Sequence, residues 1–535
     1  MKTHACYDGT MKRAVLSSLV AGAIAGLVAV ACGSDAPPSA FVDAGTDAGI
    51  DSALFCSGGQ QLCADKCVDF KTDTTHCGGC DNVCLGGDLC CAGRCVKSPA
   101  CTFAVTEVTS ARGNQSGGDW VKLKGAGFTA DMAIYIGDGR APTRMIDPAN
   151  AIIQTPPGTV GIYDVTIVSA SGTSVLRNGF TYVAAGLKLP WQTKKMASVR
   201  GEHPGIAVMQ DGRVLVAGGT EIPDDATRAL TTAEIYTRTT DQVTPAKNAM
   251  AVKRWHDAAV TLLDGRVVVA GVADCTANAC KTIDVFDPAT DTFTPAKALL
   301  SEARSDAWGV LLVDGRVMIS SASSATVDIY DAVADTVTAV PLKVIHKFGL
   351  RIVRLRDGRV MVIGGDGGQT ATELWDPKTG VFTLAGAMVE GRSMFTAHTL
   401  PDGRVMVVGG SSISAGAVNA PMKGIEAYDP KTDTWTKMTY GLSVGRTWHA
   451  SALVRDGTIL AMGGYTTQSC TPSDSVDQVD PVKGTVVTFG TLPNPNTEWN
   501  AVTLLDGSVL GVGGGACGGN ALPDLDFLPG EPLPN

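Results

Sequence analysis

Short apolar runs separated by Asp-Gly set the rhythm of the C-terminal part of the chain. Arg213 to Gly219 (Arg-Val-Leu-Val-Ala-Gly-Gly) follows Asp211-Gly212. The dipeptide returns at Asp264, Asp314, Asp357, Asp402, Asp456 and Asp506, at spacings of 53, 50, 43, 45, 54 and 50 residues. A β-branched run follows each copy, and in five copies it ends in Gly-Gly. A period near 50 residues predicts an array of repeated sheet units.

The unit is clearest from Arg254 onward. Strand a is predicted over Asp257 to Leu263, strand b over Arg266 to Gly271, strand c over Thr282 to Pro288, and strand d at Thr292-Phe-Thr-Pro. Asp-Gly, between a and b, suits a tight hairpin because it tolerates positive φ. Four strands per unit, repeated, describe a β-propeller blade. There are seven a–b hairpins and seven c strands. Strand d follows only six of them, at Val243, Phe293, Val337, Phe382, Trp435 and Val486. Leu189 to Met196, around Trp191, is predicted to supply the seventh d strand from upstream and so remove an open edge. Gly-Gly after strand b and Tyr-Asp-Pro variants on strand c, such as Ala427-Tyr-Asp-Pro430, resemble the kelch family. Blade three departs, with Ser320-Ser321 in place of the glycines, and blade two has Gly271-Val272.

Upstream, Thr102 to Val183 alternates in short strands: Val121 to Lys124, Ala133 to Ile136, Ala151 to Ile153 and Tyr163 to Val168. Turn signals fall at Gly117-Gly118, Gly137-Asp-Gly139, Pro156-Pro-Gly158 and Ser171-Gly172. This suits a small β-sandwich. Leu123-Lys-Gly-Ala-Gly-Phe128, Thr155-Pro-Pro157 and Asn178-Gly-Phe-Thr-Tyr182 resemble the IPT/TIG domain, an immunoglobulin-like fold that serves as spacer or adhesion module in secreted proteins. The fold class is therefore all-β. The expected parts are residues 1–31 (export signal), 32–55 (spacer), 56–101 (Cys-rich module), 102–184 (immunoglobulin-like domain) and 185–535 (seven-bladed propeller).

The N-terminal parts suggest export. Ala14 to Ala31 is apolar, preceded by Met11-Lys-Arg13 (Met11 being a candidate true start) and closed by small residues before Cys32. The junction resembles a bacterial lipobox, although Ala29 stands where its members usually carry Leu. That resemblance implies cleavage before Cys32 and its lipidation, a membrane anchor, and, with Gly33 next, the outer membrane of a Gram-negative cell. An acyl anchor contributes roughly 0.8 kcal/mol per buried methylene. Residues 33–54 are small and acidic, which predicts a solvated spacer. Ten cysteines between Cys56 and Cys101 predict a disulfide-stapled module, with connectivity open. Cys77-Gly-Gly-Cys80 has zinc-ligand spacing as the alternative. Cys275 with Cys280, and Cys470 with Cys517, are predicted disulfide pairs.

A net charge of -10 and the absence of a long basic run exclude nucleic acid as the expected partner. The loops on one face of the propeller hold the candidate binding chemistry. Arg200, Arg254, Arg304, Arg392 and Arg446 recur ten or eleven residues before the Asp of each turn, with Lys347 and Asn496 in the remaining two blades. Guanidinium groups suit carboxylate or sulfate. Each could instead pair with a carboxylate in its own blade. Trp255, Trp448, Trp499 and Trp308 join them, as does His449, and aromatic groups beside arginines suit a glycan or peptide.

Arg446-Thr-Trp-His449 resembles the segment of seven-bladed copper radical oxidases that carries adjacent tyrosine and histidine ligands. Trp448 stands where the tyrosine would be, and the second histidine domain and cross-linked cysteine of those enzymes are not found. No metal, cofactor or catalytic residue is assigned. Gly-x-Ser-x-Gly and His-Glu-x-x-His are also lacking. The expectation is a lipid-anchored surface protein that binds a glycan or protein on its loop face. An oxidase or hydrolase at the same mouth, and a structural envelope protein without a ligand, are the alternatives.

Overall fold

The computed structural model describes residues 61–63, 66–68, 73–77, 79–85, 89–91, 94–96, 104–169, 172–222, 225–271, 280–414, 417–467, 471–515 and 521–531. Cys32, Cys275, Cys470 and Cys517, with the export signal and spacer, lie outside the described residues. In the Cys-rich module Cys63 bonds to Cys80, and Cys67, Cys77 and Cys84 are also disulfide-bonded. Disulfides therefore take the two cysteines with zinc-ligand spacing, Cys77 and Cys80. Cys280 is disulfide-bonded as well.

The immunoglobulin-like domain packs two sheets. One orders Thr143–Asp147, Asn150–Gln154, Trp120–Ala126 and Ala104–Thr109. The other orders Arg112–Asn114, Gly172–Val183, Gly161–Ser169, Ala133–Ile136 and Gly139–Ala141. Alternate residues of these strands face inward, so Val121, Leu123, Ile134, Ile136, Ile153, Ile167 and Phe180 form one core. Gly117 is required where it stands: its φ is +70°, and a Cβ there would lie 2.6 Å from Pro156 and Pro157.

Seven four-stranded antiparallel sheets make the propeller. Their inner a strands are Gly205–Val208, Ala258–Thr261, Trp308–Leu311, Arg351–Arg354, Thr396–Thr399, Ala450–Leu453 and Asn500–Thr503. The b strands, Val214–Ala217 and its counterparts, are buried throughout because both faces lie against neighbouring blades. Each apolar cluster accordingly joins two blades. One places Val214 and Tyr236 of blade one against Leu510 and Phe527 of blade seven. Gln192–Lys195 pairs antiparallel with Asp524–Leu528 and supplies the fourth strand of blade seven, so the ring closes without an open edge.

The turns differ from the predicted form. In each Asp-Gly copy only the glycine takes positive φ, as at Gly212 (+84°). Gly212 N donates to Met209 O at 3.0 Å, and Met209 N donates to Arg213 O at 2.8 Å, so a tight turn ends in a glycine bulge. Asp211 stays in the ordinary region, where its carboxylate accepts from the Arg213 side chain at 2.7 Å. The same Asp-Arg pair holds the turns of blades two to five. Arg213 also reaches Asp291 of the next blade at 2.6 Å.

The immunoglobulin-like domain sits on this turn face. Arg140 N donates to Arg356 O at 2.6 Å and Thr143 N to Val313 O at 3.0 Å, beside the turns of blades four and three. Arg356 pairs with Asp138 at 2.6 Å. Gln115 donates to Arg455 O at 3.4 Å beside the turn of blade six. Trp120 packs against the cluster shared by blades two and three.

Candidate functional site

The opposite face carries the d–a connections and the b–c loops, which bond to each other. Thr447 N donates to Tyr465 O and Ser393 N to Ser411 O. The recurring arginines lie beneath this surface. Arg200, Arg254, Arg304, Arg392 and Arg446 are each 0 % exposed and pair with Glu234, Asp284, Asp328, Glu426 and Asp477 on strand c of their own blades. In four blades the guanidinium also donates to the carbonyl of the glycine ending strand b, as from Arg392 to Gly409 O at 2.9 Å. In blade three, Ser321 Oγ takes that carbonyl's role at 3.3 Å.

Of the two roles open from sequence, ligand binding and pairing within the blade, the structure gives these five arginines the second, which corrects their place among the candidate binding residues. The five arginines are internal struts, because a buried carboxylate in each sheet needs a cation beside it. Two further assignments change. The blade-four equivalent is His346, which is fully buried, bonds to Gly364 O at 2.7 Å and lies 3.4 Å from Glu373; Lys347 is exposed. In blade seven Asn496 donates to Gly513 O but brings no charge, so Asp526, 1 % exposed, has no arginine. Burial pushes its carboxyl up to about 6, although Thr193 donates to it. Trp499, also 0 % exposed, belongs to the core between blades six and seven and not to the surface.

Two or three residues after each strut position, the chain turns through the left-handed region. Glu202, His203, His256, Asp306, Met394, Trp448 and Glu498 have φ between 47° and 56°, and blade four uses Gly349 at +75°. Such conformations cost of order 1 kcal/mol for non-glycine residues. A hydrogen-bonded girdle offsets that cost here. Glu498 N donates to Trp448 O at 3.0 Å, Trp448 N to Met394 O at 3.3 Å and Met394 N to Gly349 O at 2.9 Å. Gly349 N donates to Asp306 Oδ2 at 2.8 Å. Ala307 N then donates to His256 O, His256 N to Glu202 O and His203 N to Glu498 O. All seven blades are linked, and the girdle turns side chains toward the axis.

Those side chains close the mouth. His203 stacks on Trp448 with centroids 5.4 Å apart, and His256 meets both His203 (5.0 Å) and Trp448 (5.7 Å) edge-on. Phe348 lies 5.4 Å from Trp448, and Trp255 5.0 Å from His256. The Arg351 guanidinium sits 4.0 Å over Trp308. Asp306 is the acidic centre of the cluster: His256 Nδ1 lies 3.4 Å away and Trp308 Nε1 donates at 3.3 Å. Burial opposes ionisation of Asp306, but the His256 bond, the Arg351 charge and the Gly349 N–H outweigh it and hold its carboxyl below the usual range. Burial, with His256 and Arg351 nearby, pulls His203 down to about 3; burial, with Arg446 and Arg351, pulls His449 well below its ordinary value. Both imidazoles are therefore neutral at pH 7.

Four aromatic groups of this cluster, Trp255, Trp308, Phe348 and Trp448, remain partly exposed, whereas His203, His256 and His449 are buried. Of the residues singled out from sequence, Trp255, Trp308 and Trp448 thus meet at one place. His449 lies just below, with Nε2 3.2 Å from Thr396 Oγ1. Phe348, Arg351 and Asp306 escaped sequence reading, because their blades break the repeat and only the left-handed turn marks the position. Copper does not fit this donor set. Trp448 offers no ligand atom at the place where the oxidases carry tyrosine, and its indole is stacked on His203. Among the described residues, no group of three or more His, Cys, Asp or Glu is arranged to hold a metal ion.

Comparison with known proteins is consistent with this architecture. A family model for the IPT/TIG domain matches residues 104–182, and one for the Kelch motif matches residues 392–440, one blade's length from the Arg392 strut through strand d of blade five. No curated protein matches the chain. A solved structure titled "Novel fungal alcohol oxidase with catalytic diversity among the AA5 family, in complex with copper" is similar, with 18 % identity and a TM-score of 0.52 over 64 % of this chain and 76 % of that one. At that identity the likeness shows the fold alone. The chain is an all-β protein in which an immunoglobulin-like IPT/TIG sandwich precedes a seven-bladed propeller with a Kelch motif.

Proposed function

We propose that this is a binding protein of the cell surface, and that its loop face recognises a glycan. One observation carries the reading: Trp255, Trp308, Phe348 and Trp448 gather, partly exposed, around the closed mouth on the face away from the immunoglobulin-like domain. Aromatic groups combine apolar area with a polar edge, and a rigid cluster loses little entropy on binding. The hydrogen-bonded girdle supplies that rigidity. Because the sandwich occupies the turn face, a ligand of the loop face meets no obstruction from it.

The test is a glycan array probed with the intact protein and with a Trp255→Ala/Trp448→Ala variant whose folding is verified by circular dichroism. Loss of at least tenfold in apparent affinity is expected, and unchanged binding would remove the site. A protein ligand is the other outcome that such a face accommodates. The fungal alcohol oxidase keeps an oxidase reading as the alternative. Stoichiometric copper in the purified protein would favour it. Anchoring through Cys32 is part of the proposal, and Cys32→Ala should release the protein from membranes.

A further inference from the structure

A cavity lies inside the ring. It measures about 470 Å³ and is bounded by the inner strands of all seven blades and by loops of the immunoglobulin-like domain that include Ser116 and Thr155. Its wall is two-sided. On blades seven, one, two and three it is aliphatic, typified by Val502, Ile206, Val260 and Val310. Thr261 and Thr503 lie there too, but their hydroxyls are taken by Val208 O and Leu453 O.

Three successive blades then place polar groups on the other side: Arg354 on blade four, His398 on blade five and Ser451 on blade six. At the two middle positions of the inner strands, His398 and Ser451 are the only residues that are not Gly, Ala, Val or Ile. They meet at 2.5 Å between Nε2 and Oγ. Burial pulls His398 down to about 4, so at pH 7 the imidazole is neutral and shares one hydrogen bond with the serine hydroxyl.

Arg354 differs from the struts. It donates to Leu311 O, and among the described residues no carboxylate pairs with it. Burial alone pulls it to about 10. Asp119, on the same cavity, is engaged by Asn114 N and Nδ2 at 2.7 Å each. A cation between low-dielectric walls without a counter-charge is costly, and an anion of matching shape relieves that cost. The guanidinium fork suits a carboxylate, and the volume lies in the range of small-molecule sites.

We infer that the channel binds a small monocarboxylate with an apolar body. The carboxylate lies on Arg354, the body lies against the aliphatic blades, and a hydroxyl or carbonyl of the ligand is held by the His398–Ser451 pair. This site is separate from the loop face, and the failure of either leaves the other standing.

Titration calorimetry of the full chain with 3-phenylpropanoate, and with 3-phenylpropanol as its uncharged counterpart, tests it. The acid should bind at least tenfold more tightly than the alcohol. Arg354→Met should abolish that preference, and Val310→Trp, which fills the apolar side, should abolish acid binding. Equal affinity for acid and alcohol, no acid binding at millimolar concentration, or acid binding that survives Val310→Trp would overturn the inference. If Arg354→Met does not fold, the Val310→Trp result and the acid-to-alcohol ratio decide it.

Discussion

Trp448 of blade six stacks on His203 of blade one, 5.4 Å apart and 25° from parallel, although blade seven stands between them. Contact across the intervening blade is made because both residues sit in left-handed turns of the girdle, with their rings over the axis. The mouth is therefore a floor of rings, with Arg446 two residues from Trp448 but wholly beneath it. Recognition and stability fall to different layers of the same connection.

The buried struts should behave as paired charges. Arg392→Ala leaves Glu426 buried without its cation and is expected to cost about 3–5 kcal/mol. Arg392→Met combined with Glu426→Leu should recover most of that loss, because no lone charge remains. Urea denaturation of the single and double variants measures both. A single variant as stable as the parent would mean that the pair contributes nothing.

Asp526 gives a pH signature. Its folded pKa, about 6, exceeds the ordinary carboxyl value of 3.8. Its contribution to stability is thus fully present below pH 4 and is lost as pH rises through about 6. A shift of this size corresponds to roughly 3 kcal/mol. Asp119 and Asp257 are raised in the same direction, to about 6 and about 7, both chiefly by burial. Asp526→Asn should therefore remove only part of the slope between pH 4 and 7. Denaturation midpoints across that range supply the comparison, and an unchanged slope would argue against an unpaired Asp526.

Closure of the ring can be locked covalently. Thr193 and Asp526 are register partners, with Oγ1 and Oδ1 2.7 Å apart. Thr193→Cys with Asp526→Cys should oxidise readily and stabilise the propeller by about 2–4 kcal/mol. Alkylation followed by mass spectrometry counts the free thiols. Two free thiols under oxidising conditions would mean that Gln192–Lys195 does not complete blade seven.

Trp120 tests the docking of the two domains. It packs from the immunoglobulin-like domain onto the cluster of blades two and three. Trp120→Ala should cost about 1–3 kcal/mol, less than a fully buried tryptophan, since the residue is only partly buried. Hydrogen exchange should rise in residues 114–120 and in Ala258–Thr261 while the distant blades stay protected. Uniform protection would contradict the contact.

Much of this fold was legible in the sequence. The Asp-Gly period located the blades, and the missing seventh d strand pointed to Trp191 and its neighbours, because counting strands needs only pattern. The arginine column was equally visible, but its role was not. A recurring cation reads the same whether it faces solvent or a carboxylate on the next strand, and Glu234, Asp284 and their counterparts become partners only once strand c is placed beside strand b. Spacing alone points to Lys347 in place of His346 because the connection in blade four is one residue longer. Asp306, Phe348 and Arg351 carry no periodic signal, since each blade contributes a different residue to the mouth. The position of the immunoglobulin-like domain on the turn face was likewise beyond sequence, because its contacts combine backbone hydrogen bonds with single side chains, Gln115, Trp120 and Asp138, that no repeat marks.

Binding isotherms for the loop-face ligand, measured side by side on two variants, separate surface recognition from buried support. Trp448→Ala removes a ring from the floor. Arg446→Met combined with Asp477→Leu removes the strut beneath it without leaving a lone charge. The expected result is at least a tenfold loss of affinity for Trp448→Ala and near-parental affinity for the double variant. The reverse result, with binding lost alongside the buried pair and kept without Trp448, would contradict an aromatic recognition surface.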